Sequence, residues 1–334
     1  MEIKGKRFLR AKISFTVISF LAVCACGAGI AGDGKEALKW ENLHMAVQKG
    51  DLTDVKKHIE RGADVDEPGK DYYRRRPLHH AAAGGRAEIA SLLIEKGANV
   101  NATSSSQGRW TPLHYASYYG RTEVAGLLID NGAEINVKER TGWAALHLAT
   151  IQGHPETVRL LIEKGADINV TERNNLAPLH WTAERNRPAI AALLIEKGAD
   201  INARTLDGET PLHRATSKGR PAIAALLIEK GADINARDVY GRTPLHLAAI
   251  HEQVEIAGLL IKQEGADISA ADSEGRTPLH WMAFKGQVET ALELIGRGAD
   301  INAREKNVMT PLSWAIIGKQ AETVSILKQR GAVE

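Results

Sequence analysis

The chain is poor in the residues that would tie it to several common classes. It has two cysteines, Cys24 and Cys26, only two positions apart, so no disulfide framework of the small secreted kind can be built. Aromatic residues make up 5% of its 334 positions. Neither sign of charge dominates: 43 basic against 41 acidic side chains leave a formal +2, too even for a phosphate-neutralising surface, so nucleic acid is not an expected partner. No series of long apolar runs is present, which argues against a multi-span membrane protein. A nucleophile elbow, a phosphate-cradling or dinucleotide glycine loop and a zincin helix are all missing, so neither an enzyme nor a cofactor is expected. What remains is an ordinary globular composition, 43% apolar and 25% charged, unlike that of a wholly disordered chain.

The first 32 residues stand apart. Lys4, Lys6, Arg7, Arg10 and Lys12 outweigh Glu2, and residues 13–32 then carry no charge. A basic stretch, an apolar run and a small-residue exit are the parts of a secretory signal peptide. The apolar run proper, Ile13 to Val23, suits a signal better than a span of about 20 residues, although the weaker continuation to Ala31 leaves an uncleaved anchor open. Either way the following chain is expected to be exported.

Two exits compete. Val23-Cys24-Ala25-Cys26 is similar to a bacterial lipobox, with Cys26 as the lipidated residue, although a cysteine two places earlier departs from the usual pattern. Gly29-Ile30-Ala31 is an ordinary small-x-small cleavage site. The protein is thus expected to be periplasmic, a membrane-anchored lipoprotein or secreted. Residues 33–36 read as a short Gly-rich tether. Without the leader the formal charge turns from +2 to −2, so the apparent basicity belongs to targeting.

From Ala37 onward one phrase keeps returning. Thr-Pro-Leu-His stands complete at Thr111 to His114, Thr210 to His213, Thr243 to His246 and Thr277 to His280. Degenerate forms occur at Glu41 to His44, Arg76 to His79, Ala144 to His147, Ala177 to His180 and Thr310 to Ser313. Successive fourth positions are 35, 35, 33, 33, 33, 33, 34 and 33 residues apart. A second phrase, Gly-Ala-Asp-Ile-Asn, runs in step from Gly165, Gly198, Gly231 and Gly298. Within a unit, Thr210 is a good N-cap, Pro211 fits the first helical turn and Gly219 ends the helix; Pro221 opens a second helix that Gly231 stops. Helices this short do not persist alone in water, so they must stack.

This pattern resembles the ankyrin repeat over about 290 residues. The resemblance implies an all-α repeat solenoid of helix-turn-helix units with β-hairpin-like fingers: nine repeats over residues 37–334, including both caps. Polar Lys49, Asp51, Lys56 and Lys57 mark the first cap, and Lys319, Gln320, Glu322, Lys328, Gln329 and Arg330 the last. The resemblance also implies that the motif histidine hydrogen-bonds within and between units. As a metal array these histidines fail, because stacked units repeat about every 10 Å while zinc needs its nitrogens about 2 Å away. Asp233 and Asp238 recur with the repeat and read as turn formers.

Function is sought where the sequence departs from the repeat. Tyr72 and Tyr73 in one finger, Trp110 and Trp143 just before their helices, and Tyr118 and Tyr119 near a helix end read as surface aromatics, with Arg75 beside them. All fall in repeats two to four, where the two longest fingers also lie. Rigid aromatics with polar tips suit protein binding. Tyr115, Trp181, Trp281 and Trp314 share the place after the motif histidine and read as packing between repeats. Asn175 and Asn186 replace glycines tolerably; Glu252 predicts a strained or shifted turn. The chain reads as a monomeric module that binds one or more proteins, with a lipid-anchored envelope scaffold or an effector aimed at host proteins as alternatives. Membrane contact is expected only through the leader or a lipid.

Overall fold

The computed structural model describes residues 37–105 and 108–334. The leader, the tether and Cys26 lie outside the described residues. The chain divides into two units, 1–39 and 40–334, and the second is compact and contains nine helix pairs among the described residues. The pairs are α1 (Leu43–Lys49) with α2 (Leu52–Glu60), α3 (Pro77–Gly84) with α4 (Ala87–Glu95), and α5 (Pro112–Tyr118) with α6 (Thr122–Asp130). Next come α7 (Ala145–Gln152) with α8 (Pro155–Glu163), α9 (Pro178–Arg185) with α10 (Pro188–Glu196), and α11 (Pro211–Ser217) with α12 (Pro221–Glu229). The last are α13 (Pro244–Ile250) with α14 (Val254–Ile261), α15 (Pro278–Lys285) with α16 (Val288–Gly296), and α17 (Pro311–Ile317) with α18 (Ala321–Gln329). No regular strand occurs among the described residues, and the second unit is an all-α repeat solenoid.

The motif explains each first helix. Thr111 accepts from the His114 amide through Oγ1, while the Thr111 amide donates back to His114 Nδ1 at 3.2 Å. These two bonds satisfy helix-start donors that would otherwise be orphaned, and the proline wastes none. Where Ala144 and Ala177 replace the threonine only the histidine half survives, at 3.2 and 3.1 Å. The leucine of the motif is driven inward: Leu78, Leu113, Leu146, Leu179 and Leu212 are all fully buried. Each contributes about 2 kcal/mol by leaving water. One continuous core runs from Leu43 to Ala299, and a smaller cluster joins Ala283 of α15 to Leu312, Ala315, Leu327 and Ala332 of the ninth repeat.

Three sets of hydrogen bonds tie neighbouring repeats together. His79, His114, His147, His180, His213, His246 and His280 each reach a carbonyl of the following repeat through Nε2, at 2.9–3.2 Å. The residue before six of the second helices, Arg121, His154, Arg187, Arg220, Gln287 and Gln320, reaches back to the end of the preceding first helix, as His154 does to the Tyr118 carbonyl at 3.0 Å and Gln287 to Ala249 at 2.6 Å. Asn169 and Asn202 accept from the Asp200 and Asp233 amides of the next repeat, each at 2.8 Å.

The fingers are hairpin-like turns, each closed by a few bonds. Asp238 is typical: its amide donates to the Arg242 carbonyl, and its carboxylate accepts from the Tyr240 and Arg242 amides, both at 2.9 Å. Adjacent fingers share single backbone bonds, such as Val239 to the Asp207 carbonyl and Ser273 to Tyr240. Asn175, Asn186 and Glu252 all take left-handed geometry, with φ of 61°, 55° and 57°. At Glu252 this is the strained turn expected from the missing glycine.

Candidate functional site

Because the Trp110, Trp143 and Arg242 carbonyls receive the histidine bonds, the side chains at that position, just before each first helix, are left free to vary. With the first-helix residues that follow the histidine, they form a surface whose backbone is fixed by folding and whose chemistry is not.

Of the seven residues picked from sequence, six form two groups at the surface and Trp143 lies beneath. Tyr72 is 75% exposed at its finger tip, and its ring meets Tyr73 edge-on at 5.4 Å. Arg75 lies over the Tyr73 ring at 5.3 Å and pairs with Asp71 at 2.9 Å. Burial pushes the Asp71 carboxyl up, but the Arg75 hydrogen bonds and charge outweigh it and hold the group below its ordinary value. Arg75 therefore braces the finger that presents the two tyrosines. The second group is a row: half-buried Trp110 stands 5.1 Å from Tyr115 and 5.3 Å from Tyr118, and Tyr118 is 5.0 Å from exposed Tyr119. Among the described residues no ring contact joins the two groups, but the Ser105 amide donates to the Tyr73 carbonyl at 2.9 Å and so joins their fingers.

Trp143 is a correction. Read from sequence as a surface aromatic, it is only 9% exposed. Its ring lies 5.0 Å from Trp181, in a small core with Leu148, Ile151 and Leu176 against which Trp110 and Tyr118 pack. Trp143 supports the row from beneath. Tyr115 and Trp181 are buried between repeats as expected, and Trp281 and Trp314 are half-buried and meet edge-on at 5.0 Å.

The next repeats carry charge at the same places. Arg214 pairs with Glu209 at 2.7 Å and faces Glu184 at 3.7 Å, and Lys218 pairs with Glu184 at 2.8 Å. Burial raises the Glu209 carboxyl against the pull of Arg214. Sequence reading missed the apolar tips beyond: Leu206 is 67% exposed, and Val239, Tyr240 and Val308 are exposed as well. The signal was available, since Leu206 and Val239 lie at the same repeat position, where Arg140 and Arg173 stand in earlier fingers.

The histidines are fully committed. In six of the seven ladder histidines Nδ1 accepts from a backbone amide while Nε2 faces a carbonyl, which fixes the neutral ring with its proton on Nε2. The seventh, His280, is held in the same way. Desolvation drags His79, His114, His147, His180 and His246 down to about 4. Among the described residues no group of three or more His, Cys, Asp or Glu is arranged to hold a metal ion.

A stacked array of paired helices, with a variable surface over a fixed backbone, defines a repeat-type binding scaffold. The chain matches the family model for ankyrin repeats (three copies) over residues 43–139, 137–205, 202–272, 238–305 and 264–333, and it belongs to the ankyrin-repeat family. Comparison with curated proteins gives no significant match.

Proposed function

We propose that the chain is an exported ankyrin-repeat module that binds a partner protein through the first-helix face and fingers of repeats two to four. The carrying observation is the group of aromatics there, Tyr72, Tyr73, Tyr118, Tyr119 and Trp110, exposed or half-exposed at positions that the repeat leaves free. Rigid, amphipathic rings give large contact area at little entropic cost. Export is inferred from the basic-then-apolar leader of residues 1–32.

The test replaces Tyr72, Tyr73, Tyr118 and Tyr119 by Ala and compares partner recovery from envelope extracts with that of the parent chain. The far-ultraviolet spectrum is expected to stay unchanged while recovery falls at least tenfold; equal recovery would overturn the assignment. A second reading, a lipid-anchored envelope scaffold, is favoured by Cys26 in its lipobox-like setting. The mass of the mature N-terminus distinguishes them, because a diacylglyceryl cysteine marks the scaffold and a free N-terminus after Ala31 the released module.

A further inference from the structure

We propose that the partner segment held by repeats two to four is acidic, and that a row of four arginines, on the fingers before α3, α5, α7 and α9, receives its carboxylates. The proposal rests on the binding face assigned above and names the chemistry which that face selects. Arg74, Arg109, Arg140 and Arg173 stand at the tips of four successive fingers, and all are exposed. Among the described residues none of the four has a carboxylate within ion-pair distance. The acids of the same fingers are spent on closing turns. Glu139, 6% exposed, accepts from the Thr141 and Trp143 amides at 2.7 and 3.1 Å. Glu172, 8% exposed, accepts from the Asn174 and Leu176 amides at 3.0 and 3.2 Å, and Asp71 is taken by Arg75. After finger five the pattern stops: the tips carry Leu206-Asp207, Val239-Tyr240 and Ser273-Glu274, and Lys306 is paired with Glu274 at 3.5 Å.

Two observations set these arginines apart from an ordinary solvated charge run. Arg74 and Arg109 hold left-handed backbone, φ 46° and 52°, at the turn place that Gly142, Gly208, Gly241 and Gly275 occupy in other fingers. Glycine takes that geometry without strain, so the turn does not account for arginine there, and strain kept at a surface points to a use of the side chain. The tips are also tied into one row. The Ser105 amide donates to the Tyr73 carbonyl and the Arg140 amide to the Gly108 carbonyl, both at 2.9 Å, and Arg173 Nη2 reaches the Arg140 carbonyl at 2.6 Å. Repeats about 10 Å apart spread the four guanidinium groups over about 30 Å. That length fits an extended segment of about nine residues with a carboxylate at every third one. A nucleic-acid strand, charged about every 3.4 Å, would leave most of its phosphates unmet on the same row. Tyr72 and Tyr73, exposed in the finger that carries Arg74, add apolar contact between the charges.

Fluorescence anisotropy tests it on the full chain, with a labelled random copolymer of Glu and Tyr as probe and a Lys-Tyr copolymer and single-stranded oligothymidylate as comparisons. The parent chain is expected to bind the Glu-Tyr copolymer alone, about tenfold more weakly when salt rises from about 50 to 500 mM. The variant Arg74→Gln, Arg109→Gln, Arg140→Gln, Arg173→Gln, whose altered side chains are exposed, should keep the parent's far-ultraviolet spectrum and lose about tenfold in affinity. Arg237→Gln with Arg304→Gln, outside the row, should leave binding unchanged. No binding by the parent, equal binding of oligothymidylate, or full affinity in the four-arginine variant would each overturn the proposal. If copolymer binding fails while the tyrosine variant still loses its partner from envelope extracts, the face stands and its preference for acid falls.

Discussion

The first and ninth repeats are built from the same phrase and finish differently. At the first, the Trp40 segment covers α2 with two backbone bonds to Asp54 and His58, its indole reaches Asp51 at 3.4 Å, and Lys49 sits over the ring at 5.4 Å. At the ninth, Ile316 and Val333 stay open, Ser313 stands in place of the histidine, and Val308 and Lys319 hold left-handed backbone at φ 65° and 57°. The latter two conformations favour glycine and cost a side chain about 1 kcal/mol each. Gly318, displaced one residue from the usual turn position, is needed there for another reason: any Cβ would strike the Phe284 carbonyl. A repeat is stable where it is covered on both sides, so the first and ninth repeats differ by what packs against them more than by motif quality.

Acid is the strongest way to separate the interior from the ninth repeat. His79, His114, His147, His180 and His246 have folded values of about 4 against an ordinary 6.5, and burial lowers His213 and His280 as well, so the unfolded chain takes up protons first. Their contribution is present in full above pH 6.5 and is lost as pH falls toward 4, by about 1.4 kcal/mol per pH unit for each ring. Chemical denaturation at pH 7.5 and 5 should show a midpoint falling steeply, and protons should be taken up on unfolding. A midpoint independent of pH would mean that the rings are not held neutral.

Removing the Trp40 indole, with its contacts to Asp51 and Lys49, should loosen the cover of the first repeat. Trp40→Ala is expected to cost about 2 kcal/mol, confined to α1 and α2 and visible as faster amide exchange there, with α17 and α18 unchanged. Relieving strain should sharpen the comparison from the other side: Val308→Gly and Lys319→Gly each stabilise the ninth repeat by about 1 kcal/mol, read from exchange in α17 and α18. The smallest effect belongs to the interior, where Ala177→Thr restores the missing half of the helix cap and should add about 0.5–1 kcal/mol to thermal stability.

Much of this molecule was legible because its signals recur at one period. Thr111, Pro112, Leu113 and His114 announce a cap, a first turn, a core residue and a rung, and the structure places each of them so. Trp143 shows where periodicity stops being sufficient. Trp110 and Trp143 hold the same place in their repeats, yet only Trp143 is buried, because the following repeat offers it the large ring of Trp181 while Trp110 meets Leu148. That decision depends on a residue 38 positions away and on its size. Leu206 and Val239 were passed over for a related reason: aliphatic residues normally signal core, and only the finger geometry puts them in water.

The sequence by itself determined the architecture, since each local signal, from caps to glycines to buried leucines, agrees with its copies one repeat on. It also determined which positions folding leaves free. The tertiary structure decided which of those free positions face solvent and which are buried. Both depend on the neighbour each side chain meets across a repeat boundary, and coverage is a property of two surfaces, of which a local stretch of sequence describes only one.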